Sequence, residues 1–410
     1  NFVFPVNFGQ KPFKFPPPDG FQPLTTANTR PVNVISRPDQ FVGVTTYSGS
    51  TGTGTIKDDN INFTPDFVWV KDRGGTEPHA LYDTVRGAAG NGNFYRLSSN
   101  TTNGNNSPTN ELTSMIRGGF TANNNGHIYY NGKYYVSWMW KAGGAPTATN
   151  TQTSGAMTAN SVSLDGVLQS AYTPAGSPSK YPKKMSIGTK QGFSIVQFEG
   201  TGANATVPHG LGKPAKFMIV KNTAEATGWG VYHDAIGTAT DNYIELQSDA
   251  AAGASDDAFQ KTAPTSDVFS VGSKAAVNDT NDDSIAYIWC DIPGLQKFGS
   301  YTGNGDADGP FIELGFRPAV LITKRYDGGN NNWQLVDAER SPFNVANTIV
   351  KPDQNAAEST HADYAVDFLS NGFKHRTGHI ARNGDGNTYL YAAWAEAPTV
   401  DLFGGGANAR

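Results

Sequence analysis

The amino-acid sequence predicts an all-β protein made of three tandem β-sandwich-like modules, near residues 41–144, 191–294 and 295–398. Three observations carry that prediction. Gly and Pro supply 47 and 24 of the 410 residues, and leucine-rich helical stretches are scarce, which disfavours a helical chain. The apolar runs are short, rich in Val, Ile, Phe, Tyr and Trp, and bounded by clusters such as NGNNSPTN and YDGGNNNW, the punctuation of strands and turns. The same landmarks then recur three times in the same order, a sign of internal repetition.

Each repeat opens with an aromatic strand and a Gly-rich turn: FVGVTTYSG from 41, FSIVQFEG from 193 and FGSYTG from 298. A Pro-led apolar run follows and ends at Lys71, Lys221 or Lys324. Runs such as FVWV, FMIV and VLI show little alternation, which predicts strands covered on both faces. An aromatic or His and then an Asp come next: His79 and Asp83, Trp229 and Asp234, Trp333 and Asp337. The Lys-to-Asp interval repeats to within one residue. Phe120, Phe269 and Phe373 mark a later strand, preceded by Gly-Gly in the first copy and Asn-Gly in the third. The last strand bears Trp140, Trp289 and Trp394, again at an interval constant to within one residue. About 100 residues holding several such runs is the size of one β-sandwich.

Between these units the composition changes. Residues 1–40, with KPFKFPPPDGFQPL, are too Pro-rich for central strands and predict an extended connector. Beginning at Asn1 in mid-pattern, without an initiator Met or a charged-then-apolar leader, the chain is expected to continue upstream. Residues 145–190 (APTATNTQTSGAMTAN and onward) predict a spacer or a strand-adding arm, because so few apolar groups cannot form a core alone. The second and third units abut through DIPGLQKFG and are expected to hold a fixed mutual orientation; residues 399–410 form a C-terminal tail. Helix is confined to short pieces such as SDAAAGASDDAF at 248–259. No apolar run approaches the roughly 18 to 20 residues of a spanning helix, so a soluble chain without membrane insertion is expected. Cys290 is the single cysteine, so no internal disulfide can form. A net charge of −5 without basic clusters removes the electrostatic footprint of a nucleic-acid partner.

The stretch GFSIVQFEGTGANATVPHGLGKPAKFMIVKN resembles a repeated module of bacteriophage virion proteins, especially of marine phages and often at the C-terminal end of tail-fibre-like chains. FGSYTGNGDADGPFIELGFRPAVLITKR, DFLSNGFKHR and YLYAAWAEAP resemble a partner module, and PDFVWVKDR, HALYDTVRG and YYVSWMWKAGG a third variant. The opening VNFGQKPFKFPPPDGFQPL resembles the segment that trails a SPRY-type β-sandwich in such proteins. The resemblance implies a virion structural protein, a fibre or other appendage, with no catalytic residues to carry over. The second unit departs from the others, because the pattern of Asp83 with Arg86 and Asp337 with Arg340 becomes Asp234 followed by Gly237.

Candidate chemistry is sparse. The pairs Lys71 with Asp83, Lys221 with Asp234 and Lys324 with Asp337 could form a binding site, but the preferred expectation is structural ion pairs across hairpins, with Arg86 and Arg340 bonding the nearby turn. Trp140, Trp289 and Trp394 sit in apolar strands and are expected in the core. Trp229 and Trp333 follow polar loops and are the better candidates for stacking a ligand. Acidic loops, with Asp306 and Asp308 foremost, offer oxygen ligands at alternate positions, yet none has the twelve-residue calcium register. His375 and His379 stand at a metal-like interval weakened by Gly378. No nucleophile elbow, phosphate loop or C-x-x-C occurs.

These readings predict a non-enzymatic virion appendage without cofactors, assembled in the host cytoplasm and extracellular in the mature particle. Its expected partners are itself in a homotrimer, other virion proteins and host surface glycan. The homotrimer follows from fibre architecture, in which closed symmetry buries each module's open face on its neighbour. Two alternatives stand beside it: an architectural capsid or tail decoration component, and a glycan-cleaving enzyme of tailspike type with paired acids in a groove.

Overall fold

In a computed structural model, residues 34–236, 243–253 and 256–399 are described. The expected connector over 1–40 and tail over 399–410 lie almost wholly outside these residues. The chain is all-β. Among the described residues helix is limited to single turns, including Asp256–Phe259 at the end of the stretch at 248–259, and Ala275–Asn278.

Three main sheets carry one strand order. In the first, Val42–Ser48 pairs with Tyr134–Trp140, which pairs with Phe67–Asp72, which pairs with Ala80–Asp83, all antiparallel. In the second the corresponding order is Phe193–Glu199, Asp283–Trp289, Phe217–Asn222 and Trp229–His233. In the third it is Gln296–Thr302, Thr388–Pro398, Phe316–Arg325 and Gln334–Asp337. The opening, Trp-bearing and Lys-ending strands of the sequence pattern are therefore hydrogen-bonded neighbours.

A smaller sheet covers one face of each main sheet. It holds Phe120 in Gly119–Ala122, Phe269 in Val268–Val271 and Phe373 in Gly372–His375. The glycine before Phe120 and Phe373 has a steric cause. A Cβ on Gly119 would stand 2.0 Å from Ile56 O, and one on Gly372 2.0 Å from Ile312 O, so the paired strand could not approach.

The weak alternation of the apolar runs follows from burial on both faces. In the first main sheet Val68, Val70, Tyr82 and Met139 pack against Ile56, Leu112 and Phe120 of the small sheet. Phe67, Trp69, Trp138 and Trp140, one residue out of phase, face a central core shared by all three main sheets. The third sheet repeats this, with Leu321, Val336 and Ala393 toward Phe368 and Phe373, and Val320, Ile322 and Trp394 toward the center. Each fully buried large apolar side chain contributes roughly 1.5–3 kcal/mol.

At the center Trp140, Trp289 and Trp394 form a triangle. Ring centroids lie 6.3 Å apart for Trp140 and Trp289, 5.4 Å for Trp140 and Trp394, and 5.8 Å for Trp289 and Trp394. All three pairs are edge-to-face, the arrangement the ring quadrupole favours. One equivalent residue from each sheet thus meets the other two around a pseudo-threefold axis.

Residues 145–190 are a strand-adding arm and not a spacer. Lys184–Gly188 pairs antiparallel with Phe193–Glu199, Val162–Leu164 runs parallel beside it, and Val167–Leu168 closes the edge of an eight-stranded sheet. Of its apolar residues Met157, Val162, Met185 and Ile187 enter the central core, while Val167 and Leu168 at the edge stay exposed. They add to an existing sheet, so the composition that forbids independent folding does not forbid pairing. Between the second and third sheets Gln296 Nε2 donates to the carbonyls of Gln191, Gly192 and Cys290 at 2.8–3.0 Å, which pins the abutting link.

Candidate functional site

The expected pairs of Lys71 with Asp83, Lys221 with Asp234 and Lys324 with Asp337 do not form. In an antiparallel hairpin the C-terminal ends of the two strands lie at opposite ends of the ladder. Lys221 accordingly faces Trp229, and His233 faces Phe217. The position held by Asp83 opposite Phe67 and by Asp337 opposite Val320 belongs in the second sheet to His233, one residue before the predicted Asp234. Asp234 instead pairs at the surface with Lys216 at 2.7 Å.

The three lysines are fully buried. Lys71 Nζ donates to the carbonyls of Asp72 at 2.7 Å and Gly75 at 2.9 Å. Lys221 donates to those of Asn222 and Glu225, and Lys324 to those of Asp249 and Asn331. Burial pushes each ammonium down to about 8. Between pH 8 and 10.5 the unfolded chain then binds more protons than the folded one, so stability rises with pH across that window. Buried tyrosines such as Tyr47 and Tyr287 are raised well above their usual value and oppose the rise above about pH 10, where unfolded tyrosines ionise. Urea midpoints are expected to climb from pH 8 to about pH 10; a midpoint that falls over this range would show the ammonium groups to be comfortably solvated.

Asp83 and Asp337 sit in buried polar knots. Asp83 accepts from Arg86 Nε at 2.5 Å and Asp337 from Arg340 Nε at 2.7 Å, with all four side chains almost fully enclosed. Each knot also receives a neighbouring sheet. Tyr287 of the second sheet donates to Asp83 at 2.7 Å, Trp138 of the first donates to Asp337 at 3.1 Å, and His233 of the second bonds Tyr391 O of the third at 3.0 Å.

Trp229 and Trp333, the better ligand candidates among the tryptophans by sequence, are fully buried. Their indoles serve the same closure. Trp229 Nε1 donates to Ser98 O at 3.2 Å and Thr101 O at 3.0 Å, so the second sheet's hairpin grips the first unit. Trp333 Nε1 donates to Glu245 O at 3.0 Å, third gripping second, and His79 Nε2 bonds Lys351 O at 3.0 Å, first gripping third. The contacts run one way round and close after three steps, which is how a heterologous interface generates a ring.

Among the described residues, two recesses are candidates for a ligand site. One, of about 230 Å³, lies between the first and third sheets and is lined by Asp39, Asp58, Glu339 and Glu396 above Ile61, Ala338 and Ala395. Arg37 holds Asp39 below the usual carboxylate range by a hydrogen bond, and Arg317 chelates Glu396 with two bonds of 3.1 Å. The other, of about 200 Å³, lies on the arm. Its floor is Glu199, kept ionised by Lys180 and Lys183, each 3.2 Å away. Its walls are Asn150, Thr151, Gln152, Thr153 and Ser179, with the half-buried Tyr181 as the aromatic surface. Asn150 pins this wall by donating to Gln152 O and Pro182 O, both at 2.9 Å. Hydroxyls, amides, a carboxylate flanked by two ammonium groups and one ring suit a polyhydroxyl ligand.

Neither metal candidate assembles ligands. Asp308 pairs with Lys374 at 2.6 Å, and Asp306 accepts from the Asp308 amide in a turn. His375 is buried while His379 is exposed. No cluster of three metal-ligating side chains occurs among the described residues, and no helix there is long and apolar enough to cross a membrane.

Sequence reasoning missed His233, Tyr287, Tyr181 and the fully buried Arg382. Keeping strict strand register from Lys221 would have found His233; nothing local marks the others. In comparisons with known proteins, residues 37–180 and 169–398 each match the model of a domain of unknown function, DUF7483. No curated protein matches the chain, and no solved structure does.

Proposed function

The chain belongs to the DUF7483 family of domains of unknown function, and we propose that it is a non-enzymatic structural module of a bacteriophage virion appendage, of tail-fibre type, that contacts glycan on the host surface. The observation that carries the structural half is the closed ring of three sheets around Trp140, Trp289 and Trp394. The burial of the Lys, Asp, Arg and Trp residues of the repeat supports a role in rigidity. Because the ring closes within one chain, the proposed unit is a single chain, with an expected mass by light scattering of 43.7 kDa. A stable trimer would return the symmetry to three chains.

The binding half rests on the arm cleft at Tyr181. Purified protein is expected to bind host-envelope polysaccharide without shortening it. Tyr181→Ala is expected to weaken that binding about tenfold, or roughly 1.4 kcal/mol, with the thermal midpoint kept within a few degrees. Unchanged affinity in this variant would remove the cleft from the proposal. Labelling the chain and imaging the particle distinguishes a tail position from a capsid one.

The four-carboxylate groove gives a specific reason to keep glycan cleavage as a second reading. A glycosidase needs one carboxyl held protonated by its surroundings, whereas Asp39 is held ionised by Arg37. Clear depolymerisation of the polysaccharide, lost in Glu339→Gln, would place the chemistry there and overturn the non-enzymatic reading.

A further inference from the structure

The third unit encloses a cation that the chain does not neutralise. Arg382 is fully buried. Its Nε donates to Gln334 Oε1 at 2.5 Å, while Nη1 and Nη2 meet no protein acceptor. The flanking His375 is also fully buried, and both of its ring nitrogens lack a protein partner. Tyr301 packs on His375 at 4.7 Å between centroids and donates its hydroxyl to the Arg382 backbone carbonyl at 2.8 Å, and the Arg382 charge is near enough to act on His375, so the three residues are enclosed together. Besides burial, the groups acting on Arg382 are the phenols of Tyr301 and Tyr364, which are uncharged at neutral pH, and the Arg382 charge adds to burial in keeping His375 neutral.

A guanidinium is not deprotonated in proteins. An enclosed cation with unmatched donors costs several kcal/mol unless a counter-charge joins it. The same residues rule out a cation as guest, since a metal ion would be repelled by Arg382. Full enclosure limits the guest to a very small one, and the donor set selects its sign.

We propose that the terminal nitrogens of Arg382, together with one ring N–H of His375, form a buried binding site for a small monoatomic anion of chloride type.

Such an anion binds the folded chain and not the unfolded one, so chloride stabilises by mass action. At constant ionic strength, with gluconate as the replaced anion, the folding equilibrium constant of the full chain is expected to rise up to tenfold per tenfold increase in chloride above the dissociation constant. Arg382→Met should abolish that dependence. Should this variant fail to fold, His375→Phe, which keeps the cation, is expected to retain the dependence at weaker affinity. Crystals grown in bromide should show an anomalous peak within hydrogen-bonding distance of the Arg382 Nη atoms. A wild-type equilibrium indifferent to chloride, or a bromide-grown crystal with water alone beside Arg382, would overturn the proposal.

Discussion

Trp289→Ala is expected to destabilise the chain by about 3–5 kcal/mol, the range for removing a large aromatic from a packed core. Trp289 stacks on Phe193 at 4.5 Å and Phe217 at 5.4 Å, and meets Trp140 and Trp394 edge-on. It is therefore shared by the second sheet and by the junction with the first and third. Because the three indoles form one contact set, the double variants Trp140→Ala with Trp289→Ala and Trp289→Ala with Trp394→Ala should depart from additivity by about 0.5–3 kcal/mol. Urea denaturation of the singles and doubles measures both quantities. A single-variant loss under 1 kcal/mol, or strict additivity, would mean that the triangle does not hold the sheets together.

Stability is expected to fall steeply as the pH drops below 6.5. His79, His209 and His233 are fully buried. Each accepts at Nδ1, from Trp69 Nε1, Leu211 N and Ala235 N respectively. Each then has Nε2 to donate to a carbonyl, of Lys351, Thr265 or Tyr391. That pattern requires the neutral ring, since a proton on Nδ1 would face another donor. Burial accordingly pushes His79 down to about 3 and His209 and His233 to about 4. With folded values below the unfolded one, the contribution is complete above pH 6.5 and is lost as pH falls toward those values. At pH 5 the loss is roughly 2 kcal/mol for each ring, about 6 kcal/mol together, against a usual total of 5–15. The raised carboxyls of Asp66, Glu111, Asp291 and Asp353 act in the opposite sense at lower pH, so the fall is best read between pH 6.5 and 5. Urea midpoints across this interval provide the measurement; a flat profile would show that the rings take protons without breaking their bonds.

The acid prediction also shows where sequence reading stopped. The recurrence of Lys71, Lys221 and Lys324, and of Trp140, Trp289 and Trp394, is visible as spacing, and every one of these residues occupies an equivalent place in its sheet. Runs such as FVWV announced two covered faces, but not what covered them. Pairing Lys71 with Asp83 failed because it considered nearness along the chain and not strand direction. Trp229 and Trp333 are the better ligand candidates by sequence because polar loops precede them, but a loop's composition carries no information about the sheet that docks on it. The arm at 145–190 misled in the same way, since its backbone bonds to a neighbour whatever its side chains are.

By itself the sequence determined the all-β character, the strand landmarks and their order, and the burial of the three repeating tryptophans. These depend on short-range periodicity, turn chemistry and hydrophobicity, which are properties of adjacent residues. Tertiary structure alone decided that the sheets close into a ring, that Arg86, Arg340 and His79 serve neighbours as well as their own hairpins, and that Arg382 is enclosed with unmatched donors. Such contacts join residues such as Asp83 and Tyr287, 204 positions apart. Their formation depends on which faces meet across the axis, a choice set by the packing of whole sheets that no local pattern encodes.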